Sequence, residues 1–182
     1  MSQKLSPEAL EARRIRILDA ARWCFLNFGF SRTSLEDIAR RASISRTLLY
    51  RTFKDKEDIF VQCFDAWVLS RVEAANQAGR QGGTLRERLR RVCQCLVLDC
   101  WSEMADAPMA AEFQDVYERL RPKVAWNHRD GVLECVDQVL GDAETSLVFL
   151  LALEGLFADR PPRDVLAARI GILVDRFSGA AG

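Results

Sequence analysis

The stretch from Ser31 to Phe60, SRTSLEDIARRASISRTLLYRTFKDKEDIF, gathers the side chains best suited to a defined chemistry. Arg46, Thr47, Tyr50 and Arg51 fall within six residues. Arginine donates to guanine O6 and N7 or to phosphate. Threonine offers a hydroxyl and a methyl for thymine, and tyrosine reaches phosphate or a base edge. If these residues lie on a helix, Leu49 and Phe53 at i and i+4 turn inward and leave the other four outward or flanking. Ser45 and Thr52 bound the same segment, and Ser34 and Lys56 flank it as backbone anchors.

Groove reading requires a short helix held rigidly by a partner. The partner is present in the sequence. Leu35, Ile38, Ala39 and Ala42 stripe a preceding helix capped by Thr33 or Ser34. Ala42-Ser43-Ile44 supplies the turn, with Ile44 placed to plug the space between the two helices. The charge distribution agrees. The 182 residues carry no net charge, but residues 1–56 hold 12 Lys/Arg against 6 Asp/Glu, and residues 57–182 hold 14 against 20. A basic N-terminal third beside an acidic remainder points to a local face for a polyanion. The arm Lys4, Arg13, Arg14 and Arg16 can add backbone or minor-groove contacts, or can simply be solvated.

An all-α fold of about nine helices is expected, because β-branched alternation is absent and breakers recur at helical intervals. A first helix runs from about Pro7 to Asn27, with Ser6 as N-cap and Gly29 as its stop. The second starts near Ser34 and the third after Ser45. A long fourth covers Lys56 to about Ala78, capped by Asp55. A fifth spans Thr84–Met104, with Leu85, Leu89, Val92, Leu96 and Cys100 on one face. A sixth starts at Pro108, a seventh covers Lys123–Leu140, and the last two cover Ala143–Ala158 and Arg163–Phe177. The division expected is a DNA reader over residues 1–55 and a second part over 56–182.

Several function classes are disfavoured. Thr145–Leu153 is too short an apolar run to span a bilayer, and MSQKLSPEAL lacks the apolar core of a signal peptide, so a soluble cytoplasmic protein is expected. The single histidine, His128, has no Ser/His/Asp setting and is read as a surface or capping residue. There is no glycine-rich phosphate loop and no H-x-x-E pair, so neither an enzyme nor a cofactor is expected. Cys24, Cys63, Cys93, Cys95, Cys100 and Cys135 read as small buried residues. In a straight helix Cys93 and Cys100 share a face and Cys95 lies off it, a poor match to zinc spacing, so no metal is expected. A thiol-based redox sensor stays open as an alternative, as does a helical interaction module without an effector.

The N-terminal residues resemble the tetracycline-repressor-like (TetR/AcrR) regulators. The resemblance spans about residues 13–60 and rests on Ile17-Leu18-Asp19-Ala20-Ala21, Phe25, Gly29-Phe30, Thr33-Ser34, Asp37-Ile38-Ala39, Ala42, Ile44-Ser45, Leu49-Tyr50, Phe53 and Lys56-Glu57. It departs at Ser43, where the family usually has glycine, at Thr47-Leu48 in place of Gly-Thr, and at Thr52 in place of tyrosine. A left-handed Ser43 costs on the order of 1 kcal/mol.

The resemblance implies an all-helical homodimer that reads palindromic double-stranded operator DNA, most often as a repressor. It implies a small-molecule effector of unknown identity, apolar or aromatic in character, and no membrane. Candidate effector-lining residues are Cys63, Trp67, Cys100, Trp101, Met104, Phe113, Tyr117 and Trp126, with Leu96, His128 and Cys135 behind them. The last helix pair is apolar on several faces and must be covered on several sides. Phe149, Leu150, Leu153, Leu156, Phe157, Leu166, Ile170 and Leu173 are the expected dimer contacts.

Overall fold

The computed structural model describes residues 6–123, 128–156 and 158–179, with Arg121 and His128 described by their backbone alone. These residues form α1 (Pro7–Phe28), α2 (Leu35–Arg41), α3 (Arg46–Thr52), α4 (Lys56–Arg80), α5 (Leu85–Cys93), α6 (Asp99–Ala105), α7 (Ala110–Leu120), α8 (His128–Leu140), α9 (Ala143–Leu156) and α10 (Arg163–Phe177). Gln94–Leu98 is a π turn joining α5 to α6. Counted as one bent helix, α5, the π turn and α6 make the expected fifth, giving nine helices among the described residues. Arg121–Lys123 is a short 3-10 turn. The seventh helix therefore begins later than Lys123, since the ring of Pro122 suits a tight turn and cannot donate to a continuing helix.

The chain divides into two compact units. One holds residues 1–67 and 106–126, the other residues 68–105 and 127–182. In the first, α1 packs on α2, α2 on α3, and α7 on α1. Its core is Ile17, Ala21, Phe25, Ile38, Leu49, Ile59, Phe60 and Phe113, all at most 1% exposed. The rings of Phe25, Phe30, Phe60, Phe64 and Phe113 form one chain of contacts at centroid separations of 4.8–6.2 Å. In the second, α5 packs on α8 and α10, and α9 packs on α8 and α10. Leu89, Val92, Cys93, Val136, Phe149, Leu166 and Val174 have no exposure there.

The local reasons for these helices match their sequence signals. Ser6 Oγ accepts from Ala9 N at 3.2 Å and caps α1, with Pro7 inside the start. Gly29 ends α1 at φ 87°. Asp55 Oδ1 accepts from Asp58 N at 2.8 Å at the head of α4. Thr84 and Glu87 form a capping box for α5. The π turn breaks the register assumed for a straight fifth helix. Leu89, Val92 and Cys93 are buried, whereas Leu96 and Cys100, expected on the same stripe, are only half-buried. Among the described residues no helix is long and apolar enough to cross a membrane.

Candidate nucleic-acid interface

α2 and α3 are short, and their termini are fixed by side chains. Ser34 Oγ accepts from Asp37 N at 3.2 Å, while the Asp37 carboxylate accepts from Ser34 N at 3.0 Å and from Ser34 Oγ at 2.6 Å. This reciprocal box satisfies donors that begin α2, and the same hydrogen bonds hold the Asp37 carboxyl below its ordinary range. Ser45 Oγ accepts from Leu48 N at 3.2 Å at the start of α3. Between them the turn closes through Ser43 N to Arg40 O at 3.2 Å and Ile44 N to Ala39 O at 3.0 Å. Ser43 adopts φ 54°, the left-handed conformation its position in the turn demands.

α3 buries Leu49 at 1% exposure and Phe53 follows at 4%, while Arg46, Thr47, Tyr50 and Arg51 stand exposed. Arg46 Nη2 donates to Tyr50 Oη at 3.2 Å, one helical turn away, and Arg46 Nη1 lies 3.8 Å from Glu36. The hydrogen bond to Tyr50 raises the already high pKa of the guanidinium, so it stays charged. The result is a cation and a phenol presented together from one face of a helix that is anchored on its other side. Arg41 adds a guanidinium 3.3 Å from the ring centroid of Trp23.

The remaining expected contacts carry structural work. Ser34 and Ser45 are exposed but serve as caps. Thr52 Oγ1 donates to Leu48 O at 2.8 Å, which leaves its lone pairs but not its proton for an outside partner. Lys56 departs furthest from expectation. It is half-buried, and its Nζ donates to Phe30 O at 2.7 Å and Thr33 O at 3.0 Å, with the Phe30 ring centroid at 4.5 Å. Burial pushes its pKa down, opposed by Glu112. Lys56 is a tie between α4 and the α1–α2 loop, with one donor left for a phosphate.

A further residue in this region has no sequence signal. Glu112 Oε1 on α7 accepts from Ser31 N at 2.9 Å and Ser31 Oγ at 2.7 Å. Met109 N donates to Leu26 O at 2.9 Å, and Glu57 binds Arg119 and Lys123 at 2.8 and 2.5 Å. Thr33, buried, donates from Oγ1 to Gly29 O at 2.7 Å. α7 is thereby strapped to the loop between α1 and α2. Only the fold brings residues 31 and 112 together, and no local pattern marks them.

The candidate effector residues separate into two groups. Cys63 and Phe113 belong to the core of the first unit, where Phe113 lies 4.8 Å from Phe60 between ring centroids. In the same unit Trp67 and Tyr117 are half-buried, and Tyr117 stacks on Phe64 at 4.1 Å. Cys100, Trp101 and Met104 are half-buried on α6 in the second unit. Trp126, Phe157, Lys4 and the side chain of His128 lie outside the described residues.

The expected dimer contacts need correction. Phe149, Leu150, Leu153, Leu166 and Ile170 are 0–3% exposed within a single chain, so they fill the core between α9, α10 and their neighbours and cannot meet a partner. Leu156 and Leu173 are half-buried. The apolar side chains left outward on these helices are Leu147, Val148, Leu151, Val165 and Ile172, the last 65% exposed.

All six cysteines are free thiols. Burial raises the pKa of Cys93 to about 12 and of Cys135 to about 11, and it raises those of Cys24, Cys63 and Cys95 as well. Reactive thiols need the opposite shift, so these five are poor redox sensors at neutral pH. Among the described residues no group of His, Cys, Asp and Glu is placed to hold a metal ion.

Residues 17–63 match the model for bacterial regulatory proteins of the tetR family. The HTH-type transcriptional regulator AcrR of Shigella flexneri is 42% identical over 65 residues, 36% of this chain and 30% of its own length. An HTH-type transcriptional repressor of Mycobacterium tuberculosis, Rv1474c, is 32% identical over 91 residues, 47% of this chain and 46% of its own. The match therefore spans a third to a half of those two relatives. A TetR-like transcriptional regulator from Rhodococcus sp. RHA1 superposes over 98% of this chain and 100% of its own, with a TM-score of 0.59 and 28% identity.

Proposed function

Because the chain belongs to the tetR family of transcriptional regulators, we propose that it is a ligand-responsive repressor that binds a palindromic operator as a homodimer. The observation that carries this reading is α3, a helix capped by Ser45 and pinned by Leu49 that presents Arg46, Thr47, Tyr50 and Arg51 outward. Those side chains suit one half-site of a major groove. Residues 1–55 are then the reader, and residues 56–182 pair the chain and sense the effector. The protein works in the cytoplasm.

Pairing through α9 and α10 would cover Leu147, Val148, Leu151, Val165 and Ile172. Two recognition helices must then match half-sites ~34–36 Å apart, so a small change in their spacing abolishes binding. α4 contributes residues to both compact units, and it is the element through which a small apolar or aromatic effector would alter that spacing. Trp101 and Met104, half-buried on α6, are the contacts the second unit offers to it.

The test is a gel shift of the purified chain on the DNA upstream of its own gene, repeated from low to high salt, with sedimentation equilibrium alongside. A specific complex of two chains whose affinity falls steeply with salt is expected. A monomer at micromolar concentration, or no complex at low salt, refutes the reading.

A further inference from the structure

Carboxylate pairing in the second unit is uneven. Arg86 grips Asp175 through Nε at 2.6 Å and Nη2 at 2.9 Å, and Arg169 grips Asp159 through both Nη atoms at 2.7 and 2.9 Å. Arg71 on α4 donates from Nη2 to Glu103 Oε1 on α6. Its Nε, shielded from solvent, has no acceptor among the described residues. Five residues further along α4, Asn76 Oδ1 is also shielded and unmatched.

Native interiors tolerate few such atoms, and each one calls for a reason. The π turn and α6 on the other side of the pair are not sealed. From Gln94 to Met104, every residue but Leu98 is half-buried. The charge of Arg71 also lowers the pKa of the Cys95 thiol, against the larger effects of burial and Asp99 that raise it. Glu103 itself is 32% exposed, so it can leave the pair for solvent.

We propose that the Nε–Nη2 edge of Arg71 anchors the carboxylate of a small organic acid, and that Glu103 occupies half of that edge until the acid displaces it. A guanidinium edge matches a carboxylate with two parallel N–H donors, one of which is already idle. Cys100, one turn before Glu103, and Leu96 in the preceding π turn offer surface to the acid's apolar body. This inference deepens the effector-responsive reading and rests on it.

The experiment follows thermal denaturation of the full chain with benzoate, phenylacetate and octanoate, each beside its primary amide. At least one acid should raise Tm saturably, its amide should bind at least about tenfold more weakly, and Arg71→Met should lose the response. Glu103→Gln, which removes the competing charge and keeps the side chain's size, should bind the same acid about tenfold more tightly. No response to any of the three acids, equal response to an amide, or a Glu103→Gln variant with unaltered affinity overturns the anchor. A gel shift with the same acids separates the two readings. An acid that binds through Arg71 but leaves operator binding unchanged supports the anchor and refutes the effector role.

Discussion

The two compact units treat their polar groups differently. In the first, the segments around the recognition helix are closed by side-chain hydrogen bonds. Ser34 pairs with Asp37, Ser31 with Glu112, and Lys56 with two backbone carbonyls. Among the described residues there, Gln62 Oε1 is the one buried side-chain atom left unmatched. In the second, a π turn interrupts a helix, a whole segment stays half-buried, and Arg71 and Asn76 keep buried atoms without partners. The contrast separates two tasks. A helix that reads base edges must be over-determined by its supports. A site that receives a ligand must hold something back for the ligand to satisfy, at a cost to stability.

This contrast can be broken most forcefully at Phe113. Its ring joins the aromatic chain through Phe60 and Phe64. Phe113→Ala should cost about 3–5 kcal/mol in urea denaturation. A loss below about 1 kcal/mol would mean that Phe113 lines a collapsible pocket and does not belong to the rigid support. Next is Gly29, where a Cβ would overlap the Glu112 carboxylate and φ is 87°. Gly29→Ala should cost about 2–3 kcal/mol, read as a fall in the urea midpoint.

The strap itself is tested by Glu112→Gln, expected to cost about 1 kcal/mol at neutral pH. Hydrogen bonds from Ser31 hold the Glu112 carboxyl below its ordinary value of 4.5. A carboxylate with a lowered folded pKa stabilises fully above its unfolded value and loses that contribution as pH falls through the folded one. The difference between wild type and Glu112→Gln should therefore be constant above about pH 5 and shrink as pH falls below 4.5. A difference that does not change with pH would deny the charge a role.

The smallest effect is expected at Ser43. Its φ of 54° penalises a side chain, so Ser43→Gly should raise stability by about 0.5–1 kcal/mol in the same denaturation. A loss would show that the turn relies on the serine itself.

Much of the first unit is legible in the sequence because its causes are local. Ser6, Ser34 and Ser45 mark helix starts through bonds that reach only three residues. The left-handed turn at Ser43 follows from its place between α2 and α3. The strap from Ser31 to Glu112 spans 81 residues and leaves no periodic trace. Lys56 looks like a phosphate anchor because a lysine beside a recognition helix gives no sign that two carbonyls will claim it. In α9 the limit is different. Apolar residues lie on every side, so hydrophobicity shows that cover is needed but not which face the chain itself supplies. The structure assigns Phe149, Leu150 and Leu153 to the monomer and leaves Leu147, Val148 and Leu151 outward.

The most direct test of the central claim, that α3 reads DNA, is a binding-site selection run in parallel on wild type and Arg46→Ala. The account predicts that wild type enriches a palindrome with two half-sites about one helical turn apart. It predicts that Arg46→Ala loses preference at one symmetric base pair, worth about 1–3 kcal/mol, while keeping the rest of the motif. An Arg46→Ala motif identical to that of wild type, or no palindrome at all, would contradict it.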